Sequence, residues 1–193
     1  MGSYQFDLNF IINEKYNFQE QFDLVINNGT GEHIFNQYSF FKNFHNLTKK
    51  NGFMLNILPF IDWINHGFYN FNPIFFADMA AINNYEIIKI SLANRNGAEL
   101  KLENNNFSLL FEQIKPNKNY SKFEKMIEIA KEKIGKNILL VVTMKKLSED
   151  SFKIPLQGKY LSDVTNFKTD YNSQDGGSRN APNQIADNNK RRN

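Results

Sequence analysis

The sequence predicts an α/β fold built on an open, largely parallel sheet, and three consecutive features carry that prediction. Residues 24–26 are apolar and two of them are β-branched, which is typical of a strand covered on both faces. A polar turn, residues 27–31, follows at once, and its Asn and Gly residues tolerate the positive φ of a sharp turn. An amphipathic stretch comes next. Ligands in such sheets bind beyond the carboxyl ends of the strands, so we expect a ligand near residues 27–33.

The amino-terminal residues are open to two interpretations. Tyr4 to Leu8 alternates weakly in polarity and ends in Asp7-Leu8-Asn9. The segment is either a strand that ends in a carboxylate or an irregular terminus. Residues 13–21 are expected to be a polar connector.

Three segments have the periodicity of helices. In residues 36–49 the apolar side chains recur every three or four positions, which predicts an amphipathic helix over the sheet that ends at Asn51-Gly52. Pro73 suits the first turn of a second helix that runs to about Asn83. Residues 118–133 have one apolar face and one charged face, which predicts a third helix.

The remaining ordered segments are predicted strands and a loop. Residues 53–58, 85–92 and 138–144 read as buried strands, and residues 99–102 and 107–111 as two short ones. The loop 60–72 is rich in aromatic residues. It either lines a substrate pocket or packs as a lid that has no chemical role.

Composition limits the possible classes of protein. The chain has 193 residues, 19 Phe, 8 Tyr and no Cys, so disulfides and thiol chemistry are excluded. The net charge is +3, and Lys190-Arg191-Arg192 alone supplies that amount, so we expect no nucleic-acid partner. No apolar run approaches the roughly 20 residues that span a bilayer, and no signal peptide precedes the start. We therefore expect no membrane association and a cytoplasmic location.

The last part of the chain is polar. Residues 162–193 contain many Asn, Asp and Arg and are expected to be disordered, which leaves residues 1–161 as a single domain.

The three histidines suggest acid–base chemistry more than metal binding. No two of them have the spacing of paired ligands on a helix, so no metal site is expected. His45 falls inside the first amphipathic helix and is expected to be structural. His33 and His66 both fall on the ligand side of the sheet, and either could act as a general base. For His33 the structural interpretation is the stronger one.

A family resemblance rests on landmarks that occur in order. Residues 22–33 (FDLVINNGTGEH) resemble the fourth strand of class I S-adenosylmethionine-dependent methyltransferases, in the branch that acts on small molecules. Residues 47–55 (LTKKNGFML) resemble the "L-K-P-G-G" helix end and fifth strand, with Pro59 closing that strand. Tyr85-Glu86-Ile87-Ile88 resembles the opening of the sixth strand, and residues 138–144 resemble the last strand, which runs antiparallel to the others. The resemblance implies a partial Rossmann-like sheet, strands three to seven of the superfamily order, with flanking helices.

The resemblance also implies binding roles. Asp7 and Leu8 would approach the adenine of S-adenosylmethionine, and Asn27, Asn28 and Gly29 would lie under its methionine and methyl group. His33 and His66 would lie on the side of the acceptor.

The Gly-rich "G-x-G-x-G" turn and the acidic residue that holds the ribose are absent from the chain. It therefore resembles the carboxyl-terminal two-thirds of the domain, a fragment or natural truncation that is expected to be inactive alone.

Three functions remain open from the sequence. The first is methyl transfer from S-adenosylmethionine to a small-molecule acceptor that the sequence does not identify. The second is a non-catalytic α/β interaction module derived from a methyltransferase. The third is another Rossmann-like nucleotide binder, such as a nicotinamide enzyme, which needs the same missing Gly-rich turn. In the first two cases the missing first strand would leave the edge of the strand at residues 22–26 bare, which favours self-association.

Overall fold

The computed structural model describes residues 3–101 and 120–156. Its four α-helices and one 3-10 helix are α1 (Ile12–Tyr16), the 3-10 helix (Gly31–His33), α2 (Gln37–Leu47), α3 (Pro73–Asn83) and α4 (Tyr120–Ile134). Its strands are β1 (Phe22–Asn28), β2 (Thr48–Ile61), β3 (Tyr85–Ala93), β4 (Glu99–Lys101) and β5 (Ile138–Lys146).

The five strands form one mixed sheet in the order β1-β2-β5-β3-β4. β1 runs parallel to β2, whereas β5 runs antiparallel to both of its neighbours, β2 and β3. This arrangement confirms the predicted α/β class and is consistent with a partial Rossmann-like methyltransferase sheet. It also confirms the antiparallel direction expected for the strand at residues 138–144.

The two faces of the sheet differ in burial. Along β5, Ile138, Leu140, Val142 and Met144 are fully buried, while the residues between them are partly exposed. The buried set lies on the face that packs against α2 and α3, with Phe40, Phe41 and Phe76 in the same core. The opposite face of β1 and β2 exposes Phe22, Leu24, Ile26 and Phe53.

The structure contradicts one of the two interpretations of the amino-terminal segment, the strand. Residues 4–8 form no strand, and the described sheet begins at β1. Aromatic contacts hold the segment near the start of β1, where Phe6 contacts Tyr16 and Phe18. Part of the expected polar connector is the short helix α1, in which Ile12 is buried.

The junction between α2 and β2 also differs from expectation. The helix ends at Leu47, not at Asn51-Gly52, because the Thr48 hydroxyl donates to the Phe44 carbonyl and strand pairing begins at Thr48. Asn51 has a positive φ of 64°, but it lies inside an irregular part of β2. Pairing with β1 resumes at Phe53, the expected start of the strand.

Three further outcomes concern the rest of the chain. The helices predicted at residues 73–83 and 118–133 and the strands predicted at 85–92 and 99–102 are confirmed within one or two residues. The predicted strand 107–111, the boundary at residue 161 and the tail 162–193 lie outside the described residues. Within the described ranges, no helix has the length and apolar character needed to cross a membrane.

Candidate functional site

The turn after β1 is held by side chains as well as by the backbone. Asn27 is buried, its Nδ2 donates to Asn56 Oδ1 at 3.0 Å, and its Oδ1 accepts from the Gly31 amide at 3.0 Å. Gly29 has a φ of +66°, and its amide donates to the Ile57 carbonyl at 3.0 Å, which extends the pairing with β2 by one residue. The chain therefore turns sharply into the 3-10 helix at the carboxyl end of the sheet.

Glu32, the central residue of that 3-10 helix, is fully buried. Neither of its carboxylate oxygens has a hydrogen-bond partner among the residues that the structure describes. The turn is pressed against α2, because a Cβ added to Gly31 would lie 2.9 Å from the ring of Phe40. Close packing therefore keeps this carboxylate at the carboxyl end of β1.

The loop after β2 folds back onto this turn. The indole of Trp63 is buried and donates to the Ile138 carbonyl at 2.9 Å, which anchors the start of the loop. The Phe68 amide donates to the Glu32 carbonyl at 2.8 Å, and the Phe71 amide donates to the Pro59 carbonyl at 2.8 Å. The loop is thus attached to the sheet at both ends and to the turn in its middle.

Gly67 allows the closest contact between the loop and the turn. A Cβ at this position would lie 2.9 Å from the Glu32 carbonyl oxygen and 3.0 Å from Glu32 Cγ. No side chain fits there without a shift of the backbone, so the glycine brings the neighbouring His66 close to the carboxylate.

Two imidazoles flank the buried carboxylate as a result. His66 Nε2 lies 3.5 Å and His33 Nε2 lies 3.8 Å from Glu32 Oε1. The two imidazole rings are 5.0 Å apart, and His66 also packs against Trp63 with a centroid distance of 4.8 Å. The side chains of His33 and His66 are 47% and 29% exposed, so solvent reaches the cluster from the histidine side.

This cluster, Glu32 with His33 and His66, offers two kinds of chemistry. A carboxylate beside imidazoles is a common arrangement for moving a proton. One carboxylate with two imidazoles is also a common ligand set for divalent transition metals. The cluster lies where ligands are expected in an α/β sheet, beyond the carboxyl ends of β1 and β2.

The five residues expected to bind the cofactor differ in how far their positions and existing hydrogen bonds fit that role. Asn27, Asn28 and Gly29 lie at the carboxyl end of β1 as expected, but the side chain of Asn27 and the amide of Gly29 already bond within the protein, and Asn28 is exposed. Asp7 is exposed and accepts from the amide and side chain of Asn9, while Leu8 packs against the core. Binding of a cofactor by these five residues remains a prediction.

Sequence reasoning placed both histidines on the ligand side, but it did not select Glu32 as a site residue. The position of Glu32, directly after the glycine turn and before His33, was the sequence feature that could have identified it as a site residue. Spacing predicted no metal site because His33 and His66 are far apart in the sequence. Only the folded loop brings them together around Glu32, and the absence of a metal remains a prediction.

A second buried polar cluster, formed by His45, Tyr85 and Lys146, lies at the last turn of α2. His45 Nδ1 lies 2.5 Å from the Tyr85 hydroxyl, and its Nε2 donates to the Asp150 carbonyl at 2.8 Å. The Lys146 ammonium donates to the carbonyls of His45 and Thr48. Burial and the nearby Lys146 charge lower the pKa of His45 to about 4. Burial also lowers the pKa of Lys146 and raises the pKa of Tyr85.

A cleft of about 570 Å³ opens beside this second cluster. Its lining includes Lys42, His45, Lys146 and Glu149, and none of residues 60–72 contributes to it. The aromatic loop therefore covers the turn after β1 and is not a wall of this cleft.

The chain has a remote structural likeness to a known protein. No family model and no curated protein matches the chain. A solved structure, the O-methyltransferase from a trans-AT PKS multienzyme of Brevibacillus brevis in complex with S-adenosyl-L-homocysteine, is similar at 14% identity and a TM-score of 0.38. The match covers 70% of this chain and 47% of that one, so the chain spans about half the length of this relative.

Proposed function

We propose that this chain carries the acceptor-side part of an S-adenosylmethionine-dependent methyltransferase domain that acts on a small molecule. The observation that carries the proposal is the pairing of the sheet together with the position of its polar cluster. β1 and β2 are parallel, β5 is antiparallel to β2, and the Glu32 cluster lies beyond the carboxyl ends of β1 and β2. These are the directions and the location that the resemblance implies.

The cluster would act on the methyl acceptor. A hydroxyl acceptor loses its proton when it is methylated, and an imidazole that lies beside a buried carboxylate is suited to receive that proton. His33 and His66 are partly open to solvent, whereas Glu32 lies behind them. In this proposal the histidines contact the acceptor and Glu32 orients them.

The described residues do not fit the cofactor on their own. The amide of Gly29 is bonded to Ile57, the side chain of Asn27 is bonded to Asn56 and Gly31, and the sequence has no Gly-rich turn for the methionine end. No cofactor step is therefore assigned to this polypeptide.

Titration of the purified chain with S-adenosylmethionine tests this conclusion. We expect no binding in the micromolar range. The missing Gly-rich turn and ribose carboxylate would each remove hydrogen bonds worth roughly 1 to 3 kcal/mol. Two or three such losses weaken affinity by several powers of ten. Micromolar affinity measured by calorimetry would show that other residues replace these anchors.

The reading frame upstream of Met1 tests the methyltransferase assignment itself. A continuation that encodes an apolar strand followed by a Gly-rich turn would support it, and methyl transfer can then be assayed with the longer polypeptide. In that protein, His66→Ala should lower turnover far more than melting temperature. The matched control is Ile64→Ala, since Ile64 lies in the same loop and is 86% exposed. Equal turnover in the two variants would contradict the role given to His66.

A second candidate function, a non-catalytic interaction module, is favoured by the uncovered face of the sheet. Phe22, Leu24, Ile26 and Phe53 are 41%, 52%, 55% and 41% exposed, and β1 is an edge strand of the described sheet. An apolar edge with free amides and carbonyls pairs readily with another strand, so self-association is the proposed interaction.

Sedimentation of the Leu24→Lys/Ile26→Lys double variant tests whether the chain self-associates through this face. Both side chains already point to solvent, so the charges should leave the fold intact and separate the copies. Ile88→Lys, which alters a residue of β3 that is 49% exposed, is the matched control and should leave association unchanged. A wild-type protein that stays monomeric at high concentration would contradict the proposed self-association.

A further inference from the structure

We propose that Glu32, His33 and His66 form a binding site for a divalent transition-metal ion, with Zn²⁺ as the first ion to test. The proposal goes beyond methyl transfer and does not depend on it, because the site is defined by these three side chains alone. Their candidate ligand atoms all lie within 4.8 Å of one another.

The distances suit an ion better than they suit direct hydrogen bonds. The separations of 3.5 and 3.8 Å between Glu32 Oε1 and the two imidazole nitrogens exceed the ordinary hydrogen-bond length. Two ligand atoms held about 2.1 Å from one ion at a tetrahedral angle lie about 3.4 Å apart. The two carboxylate–imidazole separations are therefore within a few tenths of an ångström of that value. The two histidine ligand atoms lie within 4.8 Å of each other, so they would have to approach by up to about 1.4 Å.

The buried carboxylate is the second, independent observation. Glu32 is 0% exposed, and in the described part of the chain both of its oxygens lack a hydrogen-bond partner. Buried carboxylates are ordinarily paired or bound to a metal, because removal of the charge from water is costly. A cation between Glu32 and the two histidines would supply the missing partner.

The surrounding structure holds Glu32 and His66 in place before an ion arrives. The ring of Trp63 packs on His66, and the indole of Trp63 is fixed by its bond to the Ile138 carbonyl. The bond from the Phe68 amide to the Glu32 carbonyl joins the loop to the turn. A prearranged set of ligands loses little conformational freedom when it binds.

The ligand types select the class of ion. Imidazole nitrogen favours zinc and other late transition metals, whereas Mg²⁺ and Ca²⁺ prefer sites made of oxygen ligands. Three protein ligands with solvent on the histidine side leave a coordination position open, as in catalytic zinc sites. An oxygen-bearing small molecule could occupy that position.

Calorimetric titration of the full chain with Zn²⁺, and with Mg²⁺ for comparison, tests the site. We expect one equivalent of Zn²⁺ to bind and to raise the melting temperature, and Mg²⁺ to do neither. His33→Ala and His66→Ala should each weaken Zn²⁺ binding at least about tenfold. Glu20→Gln, at an exposed position outside the cluster, is the control and should bind like the wild type.

The variants keep the test decisive even if one of them folds poorly. His33 is 47% exposed, so its replacement should leave the fold intact. Cobalt substitution adds a geometric readout, because an absorption spectrum typical of four-coordinate Co²⁺ should appear in the wild type and be absent in His33→Ala. Absence of Zn²⁺ binding, or equal affinity in the wild type and both histidine variants, would overturn the proposal. A failure of methyl transfer would leave these measurements unchanged.

Discussion

The Glu32 cluster and the His45 cluster both combine buried polar groups with histidine, yet they differ in whether those groups are satisfied. Around His45 both ring nitrogens have partners, and the ammonium of Lys146 bonds two carbonyls. Around Glu32, within residues 3–101 and 120–156, a fully buried carboxylate has no hydrogen bond and two imidazoles at 3.5 and 3.8 Å. The first arrangement stabilises the fold. In the second arrangement the carboxylate of Glu32 is still available to bind a cation or a proton. That difference separates a structural histidine from two candidate functional ones.

Removal of the His45 side chain should have the largest effect on stability. His45→Ala leaves the buried Tyr85 hydroxyl without its partner and opens a cavity, so we expect the free energy of unfolding to fall by about 2–4 kcal/mol. Urea denaturation measures the loss. His33→Ala, at the exposed edge of the other cluster, should change stability by less than about 0.5 kcal/mol. Equal losses would contradict the distinction between the clusters.

The His45 cluster should also make stability depend on pH. The pKa of His45 is about 4 in the folded protein and 6.5 ordinarily, so the unfolded chain binds the proton more readily. This contribution is complete above about pH 6.5 and is lost as the pH falls towards 4, up to about 3 kcal/mol in total. Lys146, Tyr85, Glu149 and Asp150 surround the ring. Denaturation curves of wild type and His45→Gln should diverge above pH 4, and parallel curves would refute this.

Gly67→Ala should separate the loop from the turn at the Glu32 cluster. The added methyl group would lie 2.9 Å from the Glu32 carbonyl oxygen, so we expect a loss of about 1–3 kcal/mol from overpacking. Hydrogen exchange at the Phe68 amide, which bonds that carbonyl, should accelerate. Ile64→Ala serves as the control and should leave both measurements unchanged. Slow exchange in Gly67→Ala would mean that the loop accommodates the methyl group without moving.

Glu32→Gln should have the smallest effect and the opposite sign. In metal-free protein the substitution replaces a buried carboxyl group that has no hydrogen bond within the described ranges, and it keeps the shape of the side chain. We therefore expect stability to rise by about 1 kcal/mol. Glu20→Gln, at an exposed position, should be neutral. A loss of stability in Glu32→Gln would show that the two imidazoles alone compensate the carboxylate, which would make this cluster resemble the one at His45.

Sequence periodicity sufficed where local rules decide the structure. The apolar stripe of α2, Pro73 at the start of α3 and the apolar run of β5 each predicted an element that the structure contains. Residues 4–8 show the limit of such rules. Their weak alternation permitted a strand, but contacts of Phe6 with Tyr16 and Phe18 hold the segment outside the sheet.

The sequence by itself determined the α/β class, the glycine turn after β1 and the side of the sheet on which His33 and His66 lie. These follow from hydrophobic periodicity and turn chemistry, which act between near neighbours. Only the tertiary structure decided that Glu32 is buried, that His66 reaches it and that His45 is fully bonded. Each of those facts depends on contacts between residues distant in the chain: Gly67 against Glu32, Trp63 against Ile138 and His45 against Asp150. Such contacts leave no periodic signal, because long-range packing and not local propensity brings the partners together.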